Sequence, residues 1–344
     1  MTINFLIIQT APGGPVERFI AQMNHTTKTS GEISEASINQ QNFNPNSSTT
    51  SSLKYQGSQG IDPEIIKKIE KLYGFDLPLW QRFYLMMKKF ITFDFGESFY
   101  QDKKVLDLVF DKLPVSISLG LWTTLLIYLI SIPLGIKKAL RDGSSFDLWS
   151  SVAVSVGHAI PSFLFAILLV IILAGGNFFN AFPLRGLVSE GFAQMSWWQK
   201  IGDYFWHLTL PITAMVVGGF ASLTFFCKNS FLEEINKQYV LTAYAKGLSQ
   251  QQVLYKHVFR NAMMIVIAGI PAAFIGILFT GSMLIEIIFS LDGLGLLGYE
   301  AALSRDYPVM FGTLYCFSLI GLVVNIISDL TYRLVDPRIN FARF

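Results

Sequence analysis

Charged residues are scarce: Asp, Glu, Lys and Arg make up 15% of the 344 residues, against 52% hydrophobic residues. That balance leaves too little polar surface to cover soluble cores, and the membrane is the solvent it suits. Cysteine is nearly absent. Cys227 and Cys316 fall in or at the end of apolar runs rather than at disulfide or metal spacing, and both read as packing residues. The four histidines, His25, His158, His207 and His257, are scattered and none lies in a His-Glu-x-x-His frame, so no metal site is expected. No Gly-Lys dipeptide occurs, which excludes a P-loop and therefore ATP binding of that kind. The formal net charge of +2 carries no basic stripe interleaved with aromatics, and nucleic acid is not an expected partner.

What the chain has in abundance is long uncharged runs. Leu113–Ile136, Leu148–Ala174, Leu208–Cys227, Met263–Ile285 and Val309–Ser328 contain no Asp, Glu, Lys or Arg. A hydrocarbon core of ~30 Å needs about 20 helical residues, and a helix satisfies its own backbone polar groups there. Five complete spans are expected. Met1–Ala11 is apolar but short, without the charged front or small-residue exit of a cleavable signal, and reads as the outer part of a first span whose inner half lies upstream of Met1. The fold class is thus an all-α polytopic membrane protein of about six transmembrane helices, the first truncated.

Lys and Arg in short loops resist translocation and so report orientation. One side holds Lys137, Lys138, Arg141, Lys228, Lys237, Lys246, Lys256, Arg260, Arg333, Arg338 and Arg343; the short loops of the other hold only Arg185, Lys200 and Arg305. The C-terminal tail 335–344 is placed in the cytoplasm and the long segment 12–112 outside.

Within that outer segment, residues 24–60 are dominated by Asn, Gln, Ser, Thr and Gly and read as a solvated, disordered tether. Order is expected over 62–93: Asp62 and Pro63 open a short amphipathic helix that ends at Gly74, and a second begins near Pro78 with Leu79, Trp80, Phe83, Tyr84 and Met87 on one face. Trp197, Trp198 and Trp206 suit an interfacial belt, and Pro133, Pro161 and Pro271 predict kinks within spans.

The segment 229–262 between the fourth and fifth spans is too long for a simple turn. It reads as two helices, the first about Leu232–Lys246 closed by Gly247, the second opened by a capping box of Ser249 and Gln252. Here the sequence Tyr239-Val-Leu-Thr-Ala-Tyr-Ala-Lys-Gly247, followed by His257-Val-Phe-Arg-Asn-Ala262, resembles the cytoplasmic "EAA" loop of binding-protein-dependent ABC permeases, in their dipeptide/oligopeptide branch. Ala11-Pro-Gly-Gly-Pro15, Asp94-Phe-Gly-Glu-Ser98, Ser290-Leu-Asp-Gly-Leu-Gly295, Arg305-Asp-Tyr-Pro308 and Leu334-Val-Asp-Pro-Arg-Ile339 extend the resemblance over nearly the whole chain. Gly60-Ile-Asp-Pro-Glu64, Tyr73-Gly-Phe-Asp76 and Phe182-Pro-Leu-Arg-Gly-Leu-Val188 are similar to the Yej-type importers of peptides and the peptide antibiotic microcin C. One departure is Thr242-Ala-Tyr-Ala where the broad pattern has Glu-Ala-Ala.

The resemblance implies a permease fold in the bacterial inner membrane, pairing with a second homologous permease, a cytoplasmic ABC ATPase and a periplasmic peptide-binding protein that delivers peptide. It implies no cofactor on this chain, ATP being used by the partner ATPase. Coupling to that ATPase falls on Tyr239, Ala243, Ala245, Lys246, Gly247, Ser249, His257, Arg260 and Asn261. Gly247 is suited to the left-handed turn and to close approach of a partner surface.

Three other readings compete. Gly293-Leu-Gly-Leu-Leu-Gly298 satisfies G-x-G-x-x-G, but it follows a span, with no parallel-sheet unit to present a helix to pyrophosphate. An ion-coupled carrier commonly places charges within its spans, which these spans lack. An intramembrane hydrolase would rest on Ser162 and His158, four residues apart across Pro161, with no orienting acid in sequence. His158 and Asn325 are polar exceptions within spans, suited either to the peptide path or to an interhelical hydrogen bond.

Overall fold

The computed structural model describes residues 1–10, 77–175, 178–179, 181–276 and 283–335. The tether at 24–60, the expected helix after Asp62 and nearly all of the C-terminal tail lie outside the described residues. Among those described, the regular elements are helices, with one isolated antiparallel bridge between Glu97 and Lys104. The chain divides into two compact units, 1–106 with 300–315 and 107–299 with 316–344. The residues just before the last span therefore join the N-terminal part of the chain rather than the bundle.

In the first unit, α1 (Thr2–Thr10) and α2 (Leu79–Ile91) meet the start of α13 (Tyr307–Val335) through aromatic rings. Phe5 stands 5.3 Å from Phe83 and 6.0 Å from Phe311, and Phe90 packs edge-on to Phe95 and Tyr315. Asp306 is buried beside this cluster. Its carboxylate accepts from the Ser98 hydroxyl and from the Phe99 and Val309 amides. Burial pushes the Asp306 carboxyl above the usual carboxylate range, and those hydrogen bonds hold the shift in check.

The second unit is built on α3 (Val105–Leu140) and α6 (Trp197–Ile235). At 36 and 39 residues these helices extend about 54 and 58 Å, well beyond a ~30 Å hydrocarbon core. Leu119, Leu208, Ala214, Ile285 and Leu291 form a dry core among α3, α6 and α11 (Met283–Ile288). Pro133 is accommodated inside the continuous α3.

The expected third span, Leu148–Ala174, is not one helix. It divides into α4 (Ser145–Ala159) and α5 (Ser162–Leu169, prolonged by a wide turn to Ala174), bent by 86°. Pro161 lacks the amide needed to continue α4, and Ile160 before it is extended, as the residue preceding a proline prefers. The fifth, Met263–Ile285, is described in part: α9 (Phe259–Ala268) ends at Gly269, before α10 (Ile270–Gly276) with Pro271, and residues 277–282 lie outside the described residues. By length and apolarity, three described helices can each cross a membrane, and a fourth crossing results if the bent pair is one span.

Candidate functional site

The segment after α6 folds as a glycine-closed elbow. The expected helix Leu232–Lys246 is broken: Leu232–Ile235 is the last turn of α6, Asn236 caps it, and α7 (Gln238–Ala245) starts afresh after the extended Lys237. Gly247 then takes φ +81°, its amide donating to Tyr244 O (2.9 Å) while the Leu248 amide reaches Ala243 O (3.4 Å). This pair of bonds is a Schellman motif, closing the helix with a left-handed residue where a side chain would cost ~1–2 kcal/mol. Ser249 and Gln252 form the expected capping box, with Ser249 N–H donating to Gln252 Oε1 (3.0 Å) and Gln252 N–H to Ser249 Oγ (3.4 Å). The helix so opened, α8 (Gln250–Val253), is not a separate short helix. It widens through Leu254–Val258 and runs on into α9.

A hydrophobic core underlies the elbow. Val240 and Ala243 of α7, Val253, Leu254 and Val258 after the turn, and Ala262, Met263 and Val266 of α9 pack with Cys227 and Phe231 of α6 and Ala139 of α3. Phe231 is fully buried. The elbow is thus packed on α3, α6 and α9 rather than being a loose loop.

The residues assigned from sequence separate into two groups. Ala245, Lys246, Gly247 and Ser249 lie together on the exposed tip, with His257 and Arg260 exposed beyond it. A Cβ added at Gly247 meets nothing within 4 Å. Ala243 is buried beneath the tip, whereas Tyr239 and Asn261 are half-buried. The Tyr239 hydroxyl also donates to Glu234 Oε2 at 2.7 Å. Burial pushes the Tyr239 phenol above its ordinary value; the Asn261 amide opposes this shift and Glu234 reinforces it.

Sequence reasoning missed a charged knot at the same end of the second unit. Lys138, fully buried, donates to Asp147 O (2.9 Å), Ser150 Oγ (2.9 Å) and Ser151 Oγ (2.6 Å), with Asp147 Oδ1 at 3.0 Å. Lys228 bridges Asp147 Oδ2 and Asp142 Oδ1, each at 2.7 Å. Together these residues tie α3, α4 and α6. Lys138 and Lys228 were legible only as basic loop residues, because nothing in the spacing of Lys138, Asp147 and Lys228 predicts that α4 folds back over them.

A cavity of about 270 Å³ opens at the α4–α5 break, lined by residues that include Thr123, His158, Pro161, Ser162, Met215 and Gly218. His158 Nδ1 lies 3.0 Å from Gly218 O, an interhelical hydrogen bond to α6. His158 and Ser162 do share this cavity, but among the described residues no carboxylate lines it, so the third member of a hydrolytic triad is not there. Asn325 is exposed on α13 and is not part of the cavity lining.

The glycine motif at 293–298 has a local explanation. Glu286, fully buried, accepts from Leu296 N–H (2.7 Å) and Ser116 Oγ (3.3 Å), and Ser116 Oγ in turn accepts from Leu294 N–H (2.8 Å). These bonds satisfy the first amides of α12 (Leu294–Ser304). A Cβ at Gly293 would stand 2.5 Å from the Glu286 carboxyl carbon. Gly293 and Gly295 make room for this carboxylate.

Long apolar helices, a sharply bent helix pair and an exposed elbow on an apolar core define a polytopic helical membrane protein. The sequence profile of the family described as "Binding-protein-dependent transport system inner membrane component" matches residues 131–341, and the chain belongs to that family. It is 57% identical, across 99% of this chain and 94% of the relative, to the inner membrane ABC transporter permease protein YejB of Escherichia coli O157:H7. A peptidoglycan transport system permease protein YejB of Agrobacterium fabrum is also 57% identical, with 100% and 94% covered. The oligopeptide transport system permease protein OppB of Haemophilus influenzae is 31% identical over 83% of this chain and 89% of its own. In fold, the chain resembles a subunit of the inward-facing MetNI methionine ABC transporter, with a TM-score of 0.51 at 16% identity, covering 67% of this chain and 97% of that one.

Proposed function

We propose that this chain is one of two permease subunits forming the path of an ATP-driven peptide importer. Its relatives are permeases named for oligopeptide, peptidoglycan and general ABC transport, which supports peptides as the cargo class and includes peptides derived from cell-wall material. Microcin C, a modified peptide, belongs to the same chemical class. A periplasmic binding protein delivers the peptide and a second, homologous permease completes the path.

The observation that carries the reading is the exposed glycine tip at Lys246–Ser249, closed by the Schellman bonds and backed by a dry core. A separate cytoplasmic ATPase grips this tip, and its closure on ATP moves α3 and α6 as levers. The chain itself binds no nucleotide and no cofactor. The excess of Lys and Arg on the elbow side supports a cytoplasmic C-terminus. To the peptide path we assign His158 with the cavity at the α4–α5 break, and Asn325, exposed on α13, as a further candidate.

The test is uptake in proteoliposomes containing this chain, its partner permease, the ATPase and the binding protein. ATP-dependent accumulation of short labelled peptides is expected, abolished when the ATPase is left out. Uptake that persists without ATPase and follows an ion gradient would replace this reading with an ion-coupled carrier. Sensitivity of a deletion strain to microcin C, with and without the chain restored, decides whether that antibiotic is carried.

A further inference from the structure

We propose that Glu234 is a positioning residue for power transmission, latching the elbow to both of the helices that enter and leave it. The inference rests on the reading of the chain as an ATPase-coupled permease.

Two contacts converge on one carboxylate. Glu234 lies in the last turn of α6, with its side chain only 14% exposed. Its Oε1 pairs with the ammonium of Lys237, the extended residue that opens α7. Its Oε2 accepts from the hydroxyl of Tyr239 in the first turn of α7. Tyr239 in turn feels the Asn261 side chain on α9, the helix that returns to the bundle, which opposes the upward shift of its phenol. The chain of contacts Lys237–Glu234–Tyr239–Asn261 thus joins α6, α7 and α9 around the break at Asn236. A second tie, from Ser230 Oγ to Ala262 O (2.8 Å), braces α6 against α9 one turn deeper.

The break at Asn236–Lys237 makes such a latch consequential. An uninterrupted helix would carry a push through its own ladder of backbone hydrogen bonds. Here the ladder stops at Ile235, and α7 is a new helix whose start has no side-chain cap. The apolar core holds the elbow against translation, but apolar contacts are non-directional and allow rocking about the break. Charge-assisted hydrogen bonds are directional, and a carboxylate with both oxygens engaged fixes the angle of α7. The exposed neighbour Glu233, 77% exposed and 3.8 Å from Lys237, cannot substitute for it because it does not reach Tyr239.

Glu234→Gln and Tyr239→Phe test the proposal in the complete importer in proteoliposomes, read as ATP hydrolysed per peptide accumulated, with Glu233→Gln as the exposed control. Each of the first two variants is expected to raise that ratio by about fivefold or more, the lower end of usual coupling between sites. The double variant should be no worse than the worse single one, since both break the same latch. Glu233→Gln should leave the ratio unchanged. If Glu234→Gln fails to assemble, Tyr239→Phe, which loses one hydroxyl, carries the test alone. Ratios within twofold of wild type for Tyr239→Phe, or a double variant that multiplies the two single effects, would overturn the latch. A wild-type importer that hydrolyses ATP yet accumulates no peptide would instead strike the functional reading on which it rests.

Discussion

The hydroxyl of Ser98 donates to Oδ2 of Asp306, joining two positions 208 residues apart inside one compact unit. Each residue sits in a short motif, Asp94-Phe-Gly-Glu-Ser98 and Arg305-Asp-Tyr-Pro308, whose purpose is obscure when read separately. Asp306 also accepts from the Phe99 and Val309 amides, so this carboxylate orders both the loop before α3 and the first turn of α13.

Because burial raises the Asp306 pKa in the folded chain, the native state keeps this proton to higher pH than the unfolded chain, whose value is near 3.8. Its contribution to stability is complete below the unfolded value and is lost as pH rises through the folded one. Thermal melts of the purified chain in detergent should show this decline in wild type, and Asp306→Asn should remove it. An unchanged slope in the variant would assign the decline to another group.

Gly247→Asp is expected to abolish uptake and uncouple the ATPase while leaving membrane insertion intact. Asp tolerates a left-handed backbone better than most residues and its Cβ would meet nothing within 4 Å, so the strain is confined to the turn itself, at most ~1–2 kcal/mol. The loss would then report docking. Gly247→Asn, similar in shape but uncharged, separates charge from bulk when ATPase binding is measured by co-purification; normal uptake by Gly247→Asp would refute the assignment of the tip.

Gly293→Ala drives a methyl group against the Glu286 carboxyl and should lower thermal stability by about 1–3 kcal/mol, as overpacking usually does. Combining it with Glu286→Ala should be less damaging than the sum of the two single changes, because the carboxylate that obstructs the methyl is gone. Additive losses in chemical denaturation would mean that the glycine is required for another reason.

Lys138→Met keeps the aliphatic stem but removes the buried ammonium. Breaking a buried ion pair costs ~3–5 kcal/mol, and the lower end applies because Lys228 still neutralises Asp147. The exposed neighbour Lys137→Met should shift stability by less than about 0.5 kcal/mol. Equal melting temperatures for the two variants would show that the knot is not structural.

Much of the elbow was legible in sequence because its signals are local. Gly247 as a left-handed stop and the Ser249–Gln252 box each depend on a few consecutive residues, and both are found as expected. The break at Asn236 was not legible, since Leu232–Lys246 has acceptable helical spacing throughout and no proline. Glu234 was invisible for a related reason: its partners Lys237 and Tyr239 meet it only when the helix stops between them. Conversely, Pro161 announced a kink but not its 86° size, since both α4 and α5 also pack on α6.

Alone, the order of residues determined that this chain enters a membrane, which way its short loops are biased, and where helices must stop, because apolar length, loop charge and turn chemistry act over a few to about twenty residues. Only the tertiary structure decided which polar groups are buried together: Lys138 with Asp147, Glu286 with Ser116, Ser98 with Asp306. Those pairings follow from the cost of leaving a charge or hydroxyl unsatisfied in a dry interior, and that cost is set by neighbours that packing supplies from distant parts of the chain.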